Sequence, residues 1–314
     1  MRPSNTSFMN SPVNYRANGK LLLAGEYLVL EGACALALPL RYGQSMQVEK
    51  SLSGTISWRS SDPAGEWFRA VFDTASLEII SASGQETATV LQHWLRGTKE
   101  LQPNFLKPGN GFYVTVNADY PLAWGWGSSS TLIAMLAQWS GSDPFELHRR
   151  ISAGSGFDIA CAERNQLLFY QLMEGEPVIL PAQPGNALTE NTWFCFLEKS
   201  QDSCREVSAF QGKEVSSIDI SEISDLSVRI CRASSGDELI RLVKQHEAII
   251  AGILKRHPIG LSFPSFPGAV KSLGAWGGDF AMFVSTANPD DVHQHLQKLG
   301  FSTFFRYPNI AWPS

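Results

Sequence analysis

Residues Pro121-Leu-Ala-Trp-Gly-Trp-Gly-Ser-Ser-Ser130 follow a stretch that alternates like a half-buried strand, Gly111–Asn117. They lead into a stretch that reads as a helix, Thr131–Trp139. A strand, a glycine-serine loop and a helix make a site for an anion. Gly125 and Gly127 let the backbone approach a ligand with no Cβ in the way. Ser128, Ser129 and Ser130 bring hydroxyls to a helix N-terminus, where unpaired N–H groups carry about half a positive charge. The segment lacks the lysine of a P-loop, the third glycine of the dinucleotide fingerprint and the G-x-S-x-G of a hydrolase elbow. On this segment alone, a phosphate cradle and an ordinary serine-capped helix both stay open.

The 314 residues suffice for two domains, and 44% hydrophobic with 18% charged residues is a soluble globular composition. A net charge of -5 argues against nucleic-acid binding, so an anionic substrate must be held by a few local cations. Cys34, Cys161, Cys195, Cys204 and Cys231 show no C-x-x-C spacing and read as free thiols of a reducing cytoplasm. His293 and His295 lie two apart on a helical stretch and point to different faces, so no metal site of His and Cys is expected. Residues 1–12 are polar and read as a loose terminus, not a signal peptide. Leu21–Leu40 is apolar, but Glu26, Glu31 and Pro39 make buried strands a better reading than a membrane span.

Strands are expected at Val13–Ala17, Lys20–Ala24, Tyr27–Leu30, Cys34–Leu38, Gln44–Glu49 and Gly54–Arg59, then a helix at Glu86–Arg96. Beyond the glycine-serine loop, Phe145–Ser152 reads as a helix, with Ser142-Asp143-Pro144 just before it as a cap that puts proline at the first turn. The polar stretch Pro181–Asn191 reads as a boundary between domains at 13–182 and 190–314. Later elements are a strand at Thr192–Leu197, helices at Ser221–Ala233 and Asp237–Lys255, a strand at Phe280–Ser285, a helix over 289–299 and a strand at Thr303–Tyr307.

Four motifs carry a resemblance. Lys20, Gly25, Glu26 and Gly32 form the first; Pro121, Gly125, Gly127, Ser128 and Ser129 the second, with Trp126 and Ser130 as departures. Ser155, Gly156 and Asp158 form an aspartate turn. Lys271, Gly274, Ala275, Gly277 and Gly278 form the last, with Trp276 in place of a glycine. In this order the motifs resemble those of the GHMP kinases, and Gly-Phe-Asp158-Ile-Ala is similar to the Gly-Tyr-Asp-Ile-Ala signature of a bacterial branch.

The resemblance implies an α+β protein with an N-terminal domain like ribosomal protein S5 domain 2 and a C-terminal ferredoxin-like domain. It implies ATP and Mg²⁺ as cofactors, with the phosphates on Gly125, Gly127, Ser128, Ser129 and Ser130, and with Gly274, Gly277 and Gly278 shaping the adjoining loop. Asp158 would accept the proton of the attacking hydroxyl, with Lys20 beside it. Ser129 would ligate the metal, with Glu146 as a second candidate ligand. Glu26 stands near such a site or serves the fold. Trp124 and Trp126 wall the nucleotide or fill the core, and Trp276 crowds its loop or fills the core.

The substrate implied is mevalonate or its 5-phosphate, whose carboxylate needs a cation such as Arg16, Lys20 or Arg205. A homoserine or sugar kinase is the alternative, and a nucleotide-binding regulator without catalysis another. The expected setting is cytoplasmic, as a monomer or homodimer, without nucleic acid or membrane partners.

Overall fold

The computed structural model describes residues 11–198, 206, 209–210, 213–274, 276 and 278–313. The chain divides into two compact units. Among the described residues, the first holds those up to Ala17, Gly43–Pro121 and Ser128–Ser152; the second holds Asn18–Tyr42, Leu122–Gly127 and those from Ala153 on.

Two long strands, β1 (Val13–Ala24) and β2 (Ala35–Ser51), run through both units. In the first unit β2 is followed by β3 (Thr55–Asp62), β4 (Gly65–Asp73), β5 (Ile79–Ala82), α1 (Gln85–Leu101), β6 (Gly111–Ala118), α2 (Ser128–Ser140) and α3 (Pro144–Ile151). Its strands lie in the order β5-β4-β3-β6-β2. β3 and β6 are parallel, with Trp58 opposite Val114, as a crossover through β4, β5 and α1 permits. The expected alternation holds in β6: Phe112, Val114, Val116 and Ala118 are buried, while Tyr113 and Asn117 are exposed. α3 starts where expected, on Asp143, whose carboxylate accepts from the backbone N of Phe145 and Glu146.

The second unit adds α4 (Phe157–Ala162), β7 (Leu168–Met173), β8 (Glu176–Pro181), α5 (Asn186–Asn191), β9 (Thr192–Phe196), α6 (Ser217–Cys231), α7 (Gly236–Leu254), β10 (Ala269–Ser272), β11 (Phe280–Val284), α8 (Pro289–Lys298), β12 (Phe304–Arg306) and α9 (Tyr307–Ile310). The start of β2 pairs with β7, and β7 returns as β8 through Glu174-Gly175, both at positive φ as a two-residue hairpin requires. A separate antiparallel sheet has the order β10-β11-β9-β12. Strands and helices alternate along it as β-α-β-β-α-β, with α6 and α7 filling the first crossover, which is the ferredoxin-like arrangement. Trp193, Cys195, Ala281 and Phe283 on one face of this sheet pack with Val292 and Leu296 of α8.

The strands expected at Val13–Ala17 and Lys20–Ala24 are one strand, β1, those expected at Cys34–Leu38 and Gln44–Glu49 are one strand, β2, and a further expected strand is of another type. Tyr27–Leu30 is not a strand: Leu28–Glu31 forms a 3-10 turn. Gly25 (φ 92) and Tyr27 (φ 62) swing the chain out of β1, and Gly32 (φ 88) closes the turn. Leu28 and Val29 are then buried side by side, which an alternating strand does not allow. Among the described residues no helix is long and apolar enough to cross a membrane, and Leu21–Leu40 is divided among β1, this turn and β2.

Candidate active site

Lys20 lies in β1, half-buried. Its backbone N donates to Trp126 O (3.0 Å), and its Nζ donates to Gly125 O (3.2 Å). Side chain and main chain of one lysine thus hold two consecutive carbonyls of the 122–127 loop. Gly125 (φ 64) and Gly127 (φ 90) both adopt the left-handed backbone that the expected glycines serve. The Lys20 Nζ also stands 5.7 Å from the centroid of the Phe157 ring, so its charge lies near the start of α4.

Asp158 is in the first turn of that helix, half-buried, after Gly156 in the left-handed region (φ 83). Its Oδ1 accepts from the backbone N of Ile159 (3.1 Å). Asp158 and Lys20 share surroundings: burial pushes the Cys161 thiol far up, Asp158 adds to the push, and Lys20 with Arg164 oppose it. The two do not form an ion pair, since the ammonium is turned to the Gly125 carbonyl.

Trp126 and Trp276 are core aromatics, whereas Trp124 is half-buried. Trp126 is fully buried, 4.6 Å from Trp124 and within 5.3–5.5 Å of Tyr42, Phe280 and Phe305 (ring centroids). Trp276 is buried too; its backbone N donates to Tyr27 Oη (3.0 Å), and its O accepts from Arg256. Burial pushes the Tyr27 phenol up to about 12, so it keeps its proton for Glu206 Oε2 (3.3 Å). Gly274 (φ 58) and buried Gly278 flank Trp276, whereas Gly277, Ala275 and Arg205 lie outside the described residues.

Glu26 belongs to a buried charged cluster. Glu26 Oε1 accepts from Lys271 Nζ, and both side chains are at most 1% exposed. Lys271 also donates to Ser272 O (2.8 Å). Burial pushes the Glu26 carboxyl up and the Lys271 ammonium pulls it back. His246 Nε2 accepts from Gly25 N (3.0 Å) and so carries no proton there; burial holds this imidazole well below its usual range. Glu247 accepts from Ile259 N, Ser272 N and Ser272 Oγ, each at 3.2 Å. His246 and Glu247 escape a reading of the sequence, because consecutive polar residues in a helix look like a solvated face.

Burial raises the Glu247 carboxyl from 4.5 to about 7. An acid raised in the fold stabilises it fully below the unfolded pKa and loses that contribution as pH climbs through the folded one. The Glu247 contribution is therefore complete below pH 4.5 and gone above about 7. Urea unfolding of wild type and Glu247→Gln between pH 5 and 8 checks this: the variant should lose less stability over that range, and parallel curves would refute it.

Ser128, Ser129 and Ser130 open α2, with Ser129 exposed and Ser130 buried. Thr131 Oγ1 donates to Ser128 O (2.9 Å). Glu146 is exposed in the first turn of α3, beyond the far end of α2. The rise from Ser129 to Ser140 is about 17 Å, so the fold offers Glu146 no route to an ion held at Ser129. Of the candidate cations, Arg16 is engaged by Asp119 (2.8 Å). Among the described residues no three His, Cys, Asp or Glu side chains cluster as a metal site.

No protein-family model matches the sequence, and no curated protein matches it significantly. Solved structures do. Methanococcus jannaschii mevalonate kinase aligns at 12% identity with a TM-score of 0.68, covering 94% of this chain and 98% of that one. Streptococcus pneumoniae phosphomevalonate kinase, in complex with phosphomevalonate and AMPPNP, aligns at 16% identity and 0.68, covering 94% and 99%. Lactococcus lactis galactokinase, complexed with galactose, aligns at 12% and 0.64, covering 97% and 94%. All three are GHMP kinases, and the likeness extends over nearly the whole chain. This protein therefore has the GHMP kinase fold.

Proposed function

We propose that the chain is an ATP-dependent small-molecule kinase acting on mevalonate or phosphomevalonate in the cytoplasm. The observation that carries the reading is the Lys20 ammonium on the Gly125 carbonyl, in a loop that runs into the serine-rich start of α2, with the same ammonium near the Asp158 turn. Gly125 and Gly127 shape the loop through their left-handed turns, and the first turn of α2 binds the phosphates through its backbone N–H groups and the Ser128 and Ser129 hydroxyls. Asp158 takes the proton of the acceptor hydroxyl, whose oxygen forms the new bond to the γ-phosphorus while the β–γ bridging electrons leave with ADP. Lys20 offsets charge on the moving phosphoryl group. Ser129, which is exposed, would hold Mg²⁺ beside phosphate and water ligands, and the ion would supply charge neutralisation at the phosphates.

The test is a coupled ADP-release screen with mevalonate, phosphomevalonate, homoserine and galactose. Turnover of one of the first two is expected. Turnover of homoserine or galactose alone moves the substrate class. ATP binding with no turnover of any acceptor replaces the kinase reading with a regulator.

A further inference from the structure

Gly125 is hemmed in on two sides. On one, Lys20 holds the loop through its backbone N and its Nζ. On the other lies Asp279: a Cβ built on Gly125 would overlap the Asp279 carboxylate and come within 3.1 Å of the Asp279 Cβ. Asp279 rests on a rigid base. Its carbonyl accepts from Leu197 N (2.8 Å), and the next residue, Phe280, opens β11 opposite Phe196 of β9. Phe280 in turn packs on Trp126, the residue after Gly125. The loop therefore meets both a sheet-anchored carboxylate and a strand-anchored ammonium at Gly125.

We propose that Asp279 is a positioning residue for phosphoryl transfer: its side chain wedges the Gly125 peptide into the orientation in which the carbonyl holds the Lys20 ammonium. The assignment rests on the kinase reading for its catalytic consequence, but its structural content stands apart from it. The wedge acts by shape. Asp279→Asn keeps the shape and the loop, whereas Asp279→Ala opens space behind Gly125 and releases the ammonium.

Two measurements need no activity. First, a double-mutant cycle on unfolding midpoints compares Gly125→Ala in the wild type and in Asp279→Ala. The collision with the carboxylate exists only in the wild type, so Gly125→Ala should cost more there; the left-handed backbone (φ 64) penalises both backgrounds alike. Equal costs overturn the wedge. Second, acetic anhydride labelling read by mass spectrometry reports Lys20 directly. The Lys20 labelling rate should rise several-fold in Asp279→Ala relative to Asp279→Asn, and equal rates overturn the link to Lys20.

In the ADP-release assay, Asp279→Ala should lower kcat by about 10²-fold, the scale expected for an ångström of misplacement, with KM for ATP little changed. Asp279→Asn should restore most of the rate. Loss in Asp279→Asn equal to that in Asp279→Ala overturns a role by shape. Absence of turnover in the wild type defeats the kinase reading alone, because the cycle and the labelling still decide whether Asp279 holds the loop.

Discussion

Replacing Lys271 by methionine lowers stability by about 3–5 kcal/mol, since it strands the Glu26 carboxylate in the interior without its partner. Neither group can reach water: Lys271 is completely buried and Glu26 is 1% exposed. The cost is of the stranded charge, not of the lost contact, and this distinction is testable. Joining Glu26→Leu to Lys271→Met removes both charges, and the double variant should recover most of the loss. Urea midpoints of the two singles and the double decide it. A double variant as unstable as the sum of the singles would mean that the cluster acts through packing.

Asp158→Asn is expected to reduce turnover of mevalonate by about 10²–10⁴-fold, the usual contribution of a positioned general base. A hydroxyl must shed its proton as it attacks, and an amide cannot take it. With phosphomevalonate the acceptor is an ionised phosphate, so the loss should be smaller unless Asp158 also positions substrate. The comparison therefore reads the acceptor as well as the residue. Asn keeps the size of the half-buried Asp158 side chain, so the fold should persist, as near-identical melting curves would show. A near-wild-type rate with mevalonate would remove the base assignment.

Much of this was legible in the residues. The alternation of β6, the helix after Gly127 and the cap at Asp143 follow from local rules, and each lies where the sequence puts it. The four glycine-bearing motifs led to the fold that the solved structures share. Other elements lie outside those expectations. β4 carries a clear period of two, with Phe68, Ala70 and Phe72 buried between more exposed residues, and was open to the same reading as β6. β7 and β8 follow weaker signals: Leu168–Met173 is mostly apolar without alternation, and Pro177 and Pro181 argue against a strand except at an edge. The 3-10 turn at Leu28 needed Tyr27 in a backbone region that a tyrosine rarely visits. The charged cluster was beyond any local rule, because Glu26 and Lys271 are 245 residues apart and nothing near either names the other. Asp279 belongs to the same class, since its neighbour Gly125 is also remote in sequence.

The packing of Trp126 has a thermodynamic consequence for the loop that contains it. Loops that close on a ligand lose their backbone freedom at the moment of binding, which weakens affinity and gives binding an unfavourable entropy. Here Trp126 is locked among Tyr42, Phe280 and Phe305, and both flanking glycines are already in their left-handed conformations. The freedom of this segment is surrendered when the chain folds. On the proposed function, a phosphate arriving beside this segment meets a loop already in place, and calorimetry of its binding should carry little of the entropic signature of an ordering loop.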